Sequence, residues 1–291
     1  MGEILQYLFS GLTSGAIYAL IALGFTIIYN ATGVINFAQG EFVMAGAMLM
    51  ATFWGKYGWP LPLAFGASLA LTSGVGILVE RLAIFPARRA GIITLIIITI
   101  GISILLKGIA MFIWGKDSLP VPSFVSEKPF SILGATIIPQ SIIILIISIL
   151  AVLALEFFFR RTLTGKAMRA CAANRLAAKL LGIKVEPLVL LAFAVSAGIS
   201  AIAGILVSPI TFATYDMGTM LGLKGFSGAV LGGLNSSLGA VTGGFLLGIL
   251  ESLAAGFISS AYKDAAAFII LLLMLFLKPE GLFGQGEVKK L

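Results

Sequence analysis

Four polar residues, Asn30, Asn36, Gln39 and Glu41, interrupt a sequence that is apolar on both sides. Carboxamide and carboxylate groups are costly at membrane depth and persist there only when buried in protein or lining a watery cavity. The stretch NATGVINFAQGE, with Gly33 and Gly40 inside it, therefore points to an unwound turn that forms a gate or part of a translocation path. A headgroup-level loop between two spans would carry the same polarity without any function. Glu41 is the sharper case, because the uncharged residues 42–50 follow it at once. Glu251, in GILESLAAGF, is a second isolated acid with no basic neighbour in sequence and joins the same set. Glu80 beside Arg81, and Glu156 near Arg160 and Arg161, read as ordinary pairs at a membrane–water interface. Lys224 is a lone cation among glycines and is expected to snorkel to an interface.

The second group is the segment RRTLTGKAMRACAANRLAAKLLGIK, residues 160–184. It holds seven (Arg160, Arg161, Lys166, Arg169, Arg175, Lys179, Lys184) of the 19 Lys and Arg residues, and no acid. Short loops rich in Lys and Arg stay on the cytoplasmic side of a membrane. Ala, Leu, Arg and Lys favour a helix over about 164–181, and Gly182 is its expected stop. The apolar residues here are mostly Ala, weak anchors for a lipid surface, so docking to a protein is the favoured use of this segment.

Several chemistries are excluded. The chain has no His, which removes His-ligated metal sites, Ser-His-Asp triads and imidazole proton shuttles. Cys171 is the single cysteine, so no intrachain disulfide forms, and its place in the basic segment suits a reducing compartment. No G-x-x-x-x-G-K-[ST] phosphate loop occurs. ATP hydrolysis, if it drives this protein, belongs to another subunit.

The elements that must position these residues follow from composition. The 291 residues are 59% hydrophobic and 11% charged, with a mean hydropathy of +1.11. At ~20 residues per membrane helix, that length allows about eight spans. The expected fold is an all-α polytopic membrane protein, one transmembrane domain over residues 1–291, with short or broken segments among its spans. The net charge of +7 gathers at Arg81, Arg88 and Arg89, in residues 160–184, and at Lys278, Lys289 and Lys290; the positive-inside bias accounts for it, with no nucleic-acid partner required. Residues 5–29 lack a basic leader and read as a first span rather than a cleaved signal. Residues 42–53 are too short to cross alone. Residues 61–84 and 92–114 follow as spans, the latter a nearly pure Ile/Leu run. Residues 115–139, where Asp117, Glu127 and Lys128 lie among prolines, form the expected external loop.

Residues 140–159 and 187–207 bracket the basic segment as spans. From Gly218 to Gly256 the sequence becomes glycine-rich, and Gly228/Gly232, Gly239/Gly243 and Gly244/Gly248 each share a helix face. Residues 225–236 read as a short or broken segment, and 238–258 and 265–277 as the last spans. No clear internal repeat is present. Yet each half carries a short, glycine-interrupted segment, the best sequence pointer to a midplane pathway. The number of crossings and the side of the first span's start stay open at this level.

Taken together, GLTSGAIYALIALGFTIIYNATGVINFAQGEFVMAGAM, GKAMRACAANRLAAKLLGI, GLKGFSGAVLGGLNSSLGAVTGGFLLGILES and YKDAAAFIILLLMLFLKPEGLFG resemble the permease subunits of bacterial and archaeal branched-chain amino acid ABC transporters. The INFAQGE segment resembles the H-type (LivH) rather than the M-type permease. The resemblance implies an ABC importer permease in a prokaryotic cytoplasmic (inner) membrane, not itself an enzyme and without a cofactor. It also implies partners: a second permease, two cytoplasmic ATPases, and an external binding protein that delivers Leu, Ile or Val, all within membrane lipid. The general importer coupling motif, Glu-Ala-Ala followed by Gly, is matched in part. Ala177, Ala178 and Gly182 align, Leu176 stands at the Glu position, and the downstream Ile-x-Leu-Pro is missing. Arg169, Asn174, Ala177, Ala178 and Gly182 are the coupling residues this implies. Two alternatives remain at this level: a permease for a sugar, urea or short amide, and an ion-coupled transporter using Glu41 and Glu251.

Overall fold

The computed structural model of the chain describes residues 2–125, 128–132 and 134–284. Apolar runs fold as helices because, away from water, each backbone amide must be satisfied within its own segment. In chain order the elements are α1 (Gly2–Thr32), α2 (Gln39–Met50) with a π-helical extension Ala51–Lys56, α3 (Leu61–Val79) with a π-helical extension Glu80–Ile84, and α4 (Ile92–Trp114). A small antiparallel hairpin, β1 (Phe130–Ile132) and β2 (Ala135–Ile137), precedes α5 (Pro139–Arg161). Two short helices follow, α6 (Leu163–Ala173) and α7 (Arg175–Leu180). The chain then forms α8 (Val185–Thr211), α9 (Met217–Gly232), α10 (Ser237–Phe257) and, after a 3-10 turn, α11 (Lys263–Leu277). Among the described residues, seven helical segments are long and apolar enough to cross a membrane; α2 and α9 are the short ones between them.

Contacts define two opposite faces. On one, Leu119 and Ala213 exchange backbone hydrogen bonds of 2.8 and 2.9 Å, and the Thr136 amide donates to Gln6 Oε1 at 2.7 Å. The start of α1, the end of α8, residues 115–125 and residues 134–138 are thus together. On the other, the end of α1, the end of α5, α6 and the starts of α8 and α10 surround a cleft of about 670 Å³. The basic segment therefore lies on the face opposite the start of α1. Glu127 and residues 285–291, including Lys289 and Lys290, fall outside the described residues.

Helices α1 and α8 form the centre, with residues 15–28 of α1 and most of α8 buried. Small residues bring α10 and α9 close: a methyl at Gly15 would lie 2.8 Å from Phe245 Cα, and one at Gly228 2.9 Å from Gly244 Cα. The outer helices α4 and α5 keep Ile93, Ile97, Phe112, Leu150 and Leu153 exposed, as hydrocarbon-facing surfaces do.

The short helices are half-helices that begin inside the molecule. Gln39, the first residue of α2, bonds to Ser200 near the middle of α8 (2.6 Å). From there α2 and its π-helical extension run toward the hairpin face, where Trp114 Nε1 donates to Thr52 Oγ1 at 2.7 Å. The start of α9 lies beside the start of α2, Gly218 against Gly40, and α9 runs the other way to the basic face, where Asn30 donates to Asn235 O at 3.5 Å. Residues 42–53 thus belong to a crossing completed by the non-helical 33–38. The segment expected over 225–236 begins earlier, at Met217. Its glycines are places of close packing rather than breaks: a methyl at Gly222 would lie 2.9 Å from Gly40 Cα.

The single helix expected over 164–181 is two helices. Asn174 takes an extended conformation (φ −157°, ψ 103°) and its side chain accepts from the Ala177 amide at 2.9 Å, so it caps α7 instead of continuing α6. Thr162 caps α6 through the Gly165 amide at 3.0 Å. Gly182, at φ +82°, closes α7: its amide bonds to Lys179 O and that of Ile183 to Ala178 O, both at 3.0 Å. This is the paired closure that favours glycine in the left-handed region.

Candidate functional site at the start of two half-helices

Asn36 and Gln39, both expected at a pathway, form a closed polar clamp. Gln39 Nε2 donates to Ser200 Oγ (2.6 Å) and Ser196 O (3.3 Å), while the single Ser196 hydroxyl proton is within reach of Gln39 Oε1 (3.0 Å) and of Gly24 O (2.8 Å). Asn36 adds a 3.5 Å bond to Gln39 Oε1 and accepts from the Ala38 amide at 3.2 Å. A buried hydrogen-bond network of this kind rigidifies a core. The clamp ties α1 to α8 and fixes where α2 begins.

One helical step further, Glu41 is placed differently. It is 1% exposed. Its Oε1 accepts from Ser103 Oγ of α4 at 2.9 Å, and its Oε2 has no hydrogen-bond partner. The residue lines a cavity of about 240 Å³ between α1, α2, α4 and α9. The walls are Phe25, Phe37, Phe226, Leu223, Ile100 and Ile104, the glycines Gly40, Gly218 and Gly222, and three polar groups, Ser103, Lys107 and Thr219. Phe226 packs on Phe25 and Phe37 with ring centroids 5.7 and 5.8 Å apart. Lys107 Nζ donates to Thr219 Oγ1 at 3.0 Å. Both half-helices start here, so the positive ends of two helix dipoles lie beside the cavity. An acid in the first turn of α2 suits that field.

The sequence reading missed Lys107, Ser103 and Thr219. It took residues 92–114 as a nearly pure Ile/Leu run, although Lys107 is a charge in the interior of that span, the very signal applied to Glu41. Gly218 and Gly222, from the glycine-rich stretch, line the cavity and leave room for it.

The other expected pathway residues lie elsewhere. Asn30 is at the basic face, in the wall of the larger cleft with Arg160 and Arg169. Glu251 is not isolated, and Lys224 does not snorkel. Lys224 is 6% exposed, and its Nζ lies 2.7 Å from Glu251 Oε1 and 2.6 Å from Asp264 Oδ1, over the Tyr18 ring. Its route to water is closed by α1, α10 and α11, so it pays for burial with two carboxylates. Glu80 lies 4.0 Å from Arg81 and Glu156 pairs with Arg160. Of the residues assigned to coupling, Arg169 and Ala177 are exposed, Asn174 is an exposed cap, Ala178 is buried, and Gly182 closes α7. Leu176, Leu180 and Leu181 project into the open beside them. Among the described residues no group of three or more Cys, Asp and Glu could hold a metal ion.

The comparisons with known proteins bear on all of this. The family model described as "Branched-chain amino acid transport system / permease component" matches residues 7–277. The chain belongs to this family. It is 37% identical over 98% of its length, and 97% of theirs, to the high-affinity branched-chain amino acid transport system permease protein LivH of Escherichia coli. The permease protein BraD of the corresponding system in Pseudomonas aeruginosa is 35% identical over 98% of this chain and 97% of its own. Among solved structures, PsaBC from Streptococcus pneumoniae in complex with Fab aligns with a TM-score of 0.45 and 15% identity over 96% of this chain and 91% of that one. Family membership makes the chain a multi-pass transport permease component and accords with the all-α helical architecture described above.

Proposed function

We propose that this chain is one permease subunit of an ATP-driven importer that carries branched-chain aliphatic amino acids across the cytoplasmic membrane of a prokaryote. The observation that carries the reading is the family match over residues 7–277, joined to near full-length similarity to permeases of high-affinity branched-chain amino acid systems. The partners are a second permease, two cytoplasmic ATPases and an external binding protein. The basic segment 160–184 faces the cytoplasm, and residues 115–139 face outward. The ATPases engage α6 and α7, with Arg169, Asn174, Ala177, Ala178 and Gly182 at or under the contact. The exposed Leu176, Leu180 and Leu181 supply apolar surface suited to such docking.

ATP-driven closure of the ATPases moves α6 and α7, which adjoin the ends of α1 and α5 and the start of α8. Because the clamp of Gln39, Ser196 and Ser200 ties α8 and α1 to the start of α2, that motion reaches the half-helices. The path between the two faces passes Glu41, where helical backbone gives way to 33–38 on one side and 212–216 on the other. Irregular backbone at this depth is tolerated where it lines a cavity. The test is uptake of labelled leucine into vesicles holding this chain with its partner subunits, with ATP supplied or withheld on the ATPase side. ATP-dependent uptake that isoleucine and valine block supports the reading. ATPase activity without such uptake removes the substrate class, and uptake that follows an ion gradient instead removes the ATP-driven role.

A further inference from the structure

The permease reading assigns a path past Glu41 but no stopping point on it. The cavity there has the composition of a binding site. Glu41 and Lys107 are the only charged side chains in its described wall, and they carry opposite signs. Among the described residues no ion pair within 4.0 Å joins them to each other. Each is held by a hydroxyl instead, Glu41 by Ser103 and Lys107 by Thr219. The second carboxylate oxygen of Glu41 is buried and without a partner. A buried polar atom left unpaired is costly, so an oxygen of this kind beside a cavity suits a guest that brings a hydrogen-bond donor. The remaining walls are aromatic and aliphatic.

Resting on the permease reading, we propose that this cavity is a transit site for a zwitterionic α-amino acid with an aliphatic side chain. The ammonium group donates to Glu41 Oε2. The carboxylate lies toward Lys107 and the positive end of α9, where a helix start favours negative charge. The hydrocarbon side chain packs on Phe25, Phe37 and Phe226. A ligand with no net charge satisfies both fixed charges at once and leaves the site neutral, which an amine or a carboxylate alone does not. Specificity for apolar amino acids is then built into this chain as well as into the binding protein.

The test separates this claim from the function it rests on. The complex of this chain with its partner permease and ATPases is purified without the binding protein, and its thermal unfolding midpoint is followed against leucine, 3-methylbutylamine and 4-methylpentanoate. A ligand that binds only the folded state raises the midpoint with the logarithm of its concentration over Kd. Leucine is expected to raise it and the two half-analogues to fail at equal concentration. Glu41→Gln should abolish the leucine shift, Lys107→Met should raise the concentration needed at least tenfold, and Glu41→Asp, which keeps the charge, should retain a weaker shift. No leucine shift in a wild-type complex that imports leucine would overturn the site while leaving the permease function standing. A shift that survives in both Glu41→Gln and Lys107→Met would place binding elsewhere and overturn it too. An amine as effective as leucine would reduce the cavity to a cation site and overturn the zwitterion assignment. Absence of ATP-driven uptake by the wild-type complex with its binding protein would sink the permease reading instead.

Discussion

Glu41 and Glu251 look alike in the sequence, single acids in apolar surroundings, and the fold gives them opposite situations. Each keeps a second carboxylate oxygen without a hydrogen-bond partner, but Glu251 is neutralised by Lys224 at 2.7 Å, with Asp264 on the same ammonium, whereas Glu41 has no cation within ion-pair distance among the described residues and lines a cavity. Lys224→Met should therefore act on stability. Removing one member of a buried pair costs about 3–5 kcal/mol, and most of that falls on Glu251, since the Asp264 side chain is 41% exposed; the check is a lower thermal unfolding midpoint. Glu41→Gln should act on transport, leaving insertion and subunit assembly intact while ATP-driven leucine uptake falls at least tenfold. If uptake by that variant matches the wild type, Glu41 has no part in the path.

At the scale of elements, the decisive feature is the meeting of α2 and α9. Their starts touch through Gly40 and Gly218, with no room for a side chain between the backbones. Gly40→Ala should push the two half-helices apart at a cost of about 1–3 kcal/mol, the usual range for overpacking, seen as a lower unfolding midpoint together with impaired uptake. The paired α6 and α7 give a separate expectation. Arg169 is exposed and its charge is available to a partner, so Arg169→Glu should reduce ATPase co-purification without changing the amount of inserted chain. Undiminished recovery of the ATPases would remove Arg169 from the docking surface.

For the whole molecule, sidedness is a direct test. The start of α1, residues 115–125 and residues 134–138 share one face, and the basic α6 and α7 occupy the other. Cysteine introduced at Glu3 should react with an impermeant maleimide added outside intact cells, and cysteine at Lys179 only after permeabilisation. The reverse pattern would invert the orientation proposed above. The native Cys171 should interfere little. It is 7% exposed, and burial pushes its thiol above the ordinary range, so less thiolate is present at neutral pH and labelling is slow.

The sequence by itself determined the helical membrane class, most span positions, the separate basic segment and the family resemblance. Each of these rests on local quantities: the length of an apolar run, the clustering of Lys and Arg, a stretch of matching residues. It also pointed to a break within 30–41, which the structure narrows to 33–38, because polarity in an apolar setting is visible without any partner. What it left undecided are the relations between distant segments. Whether Lys224 reaches water depends on α1, α10 and α11 closing over it, and whether Glu251 is isolated depends on a residue 27 positions away. Asn36 and Gln39 became a clamp only because Ser196 and Ser200 stand opposite them across more than 150 residues of chain. The cavity itself needed α4 to bring Ser103 and Lys107 to Glu41, and α9 to begin at Gly218. Charge pairing and cavity shape are properties of packing in three dimensions, and only the tertiary structure sets them.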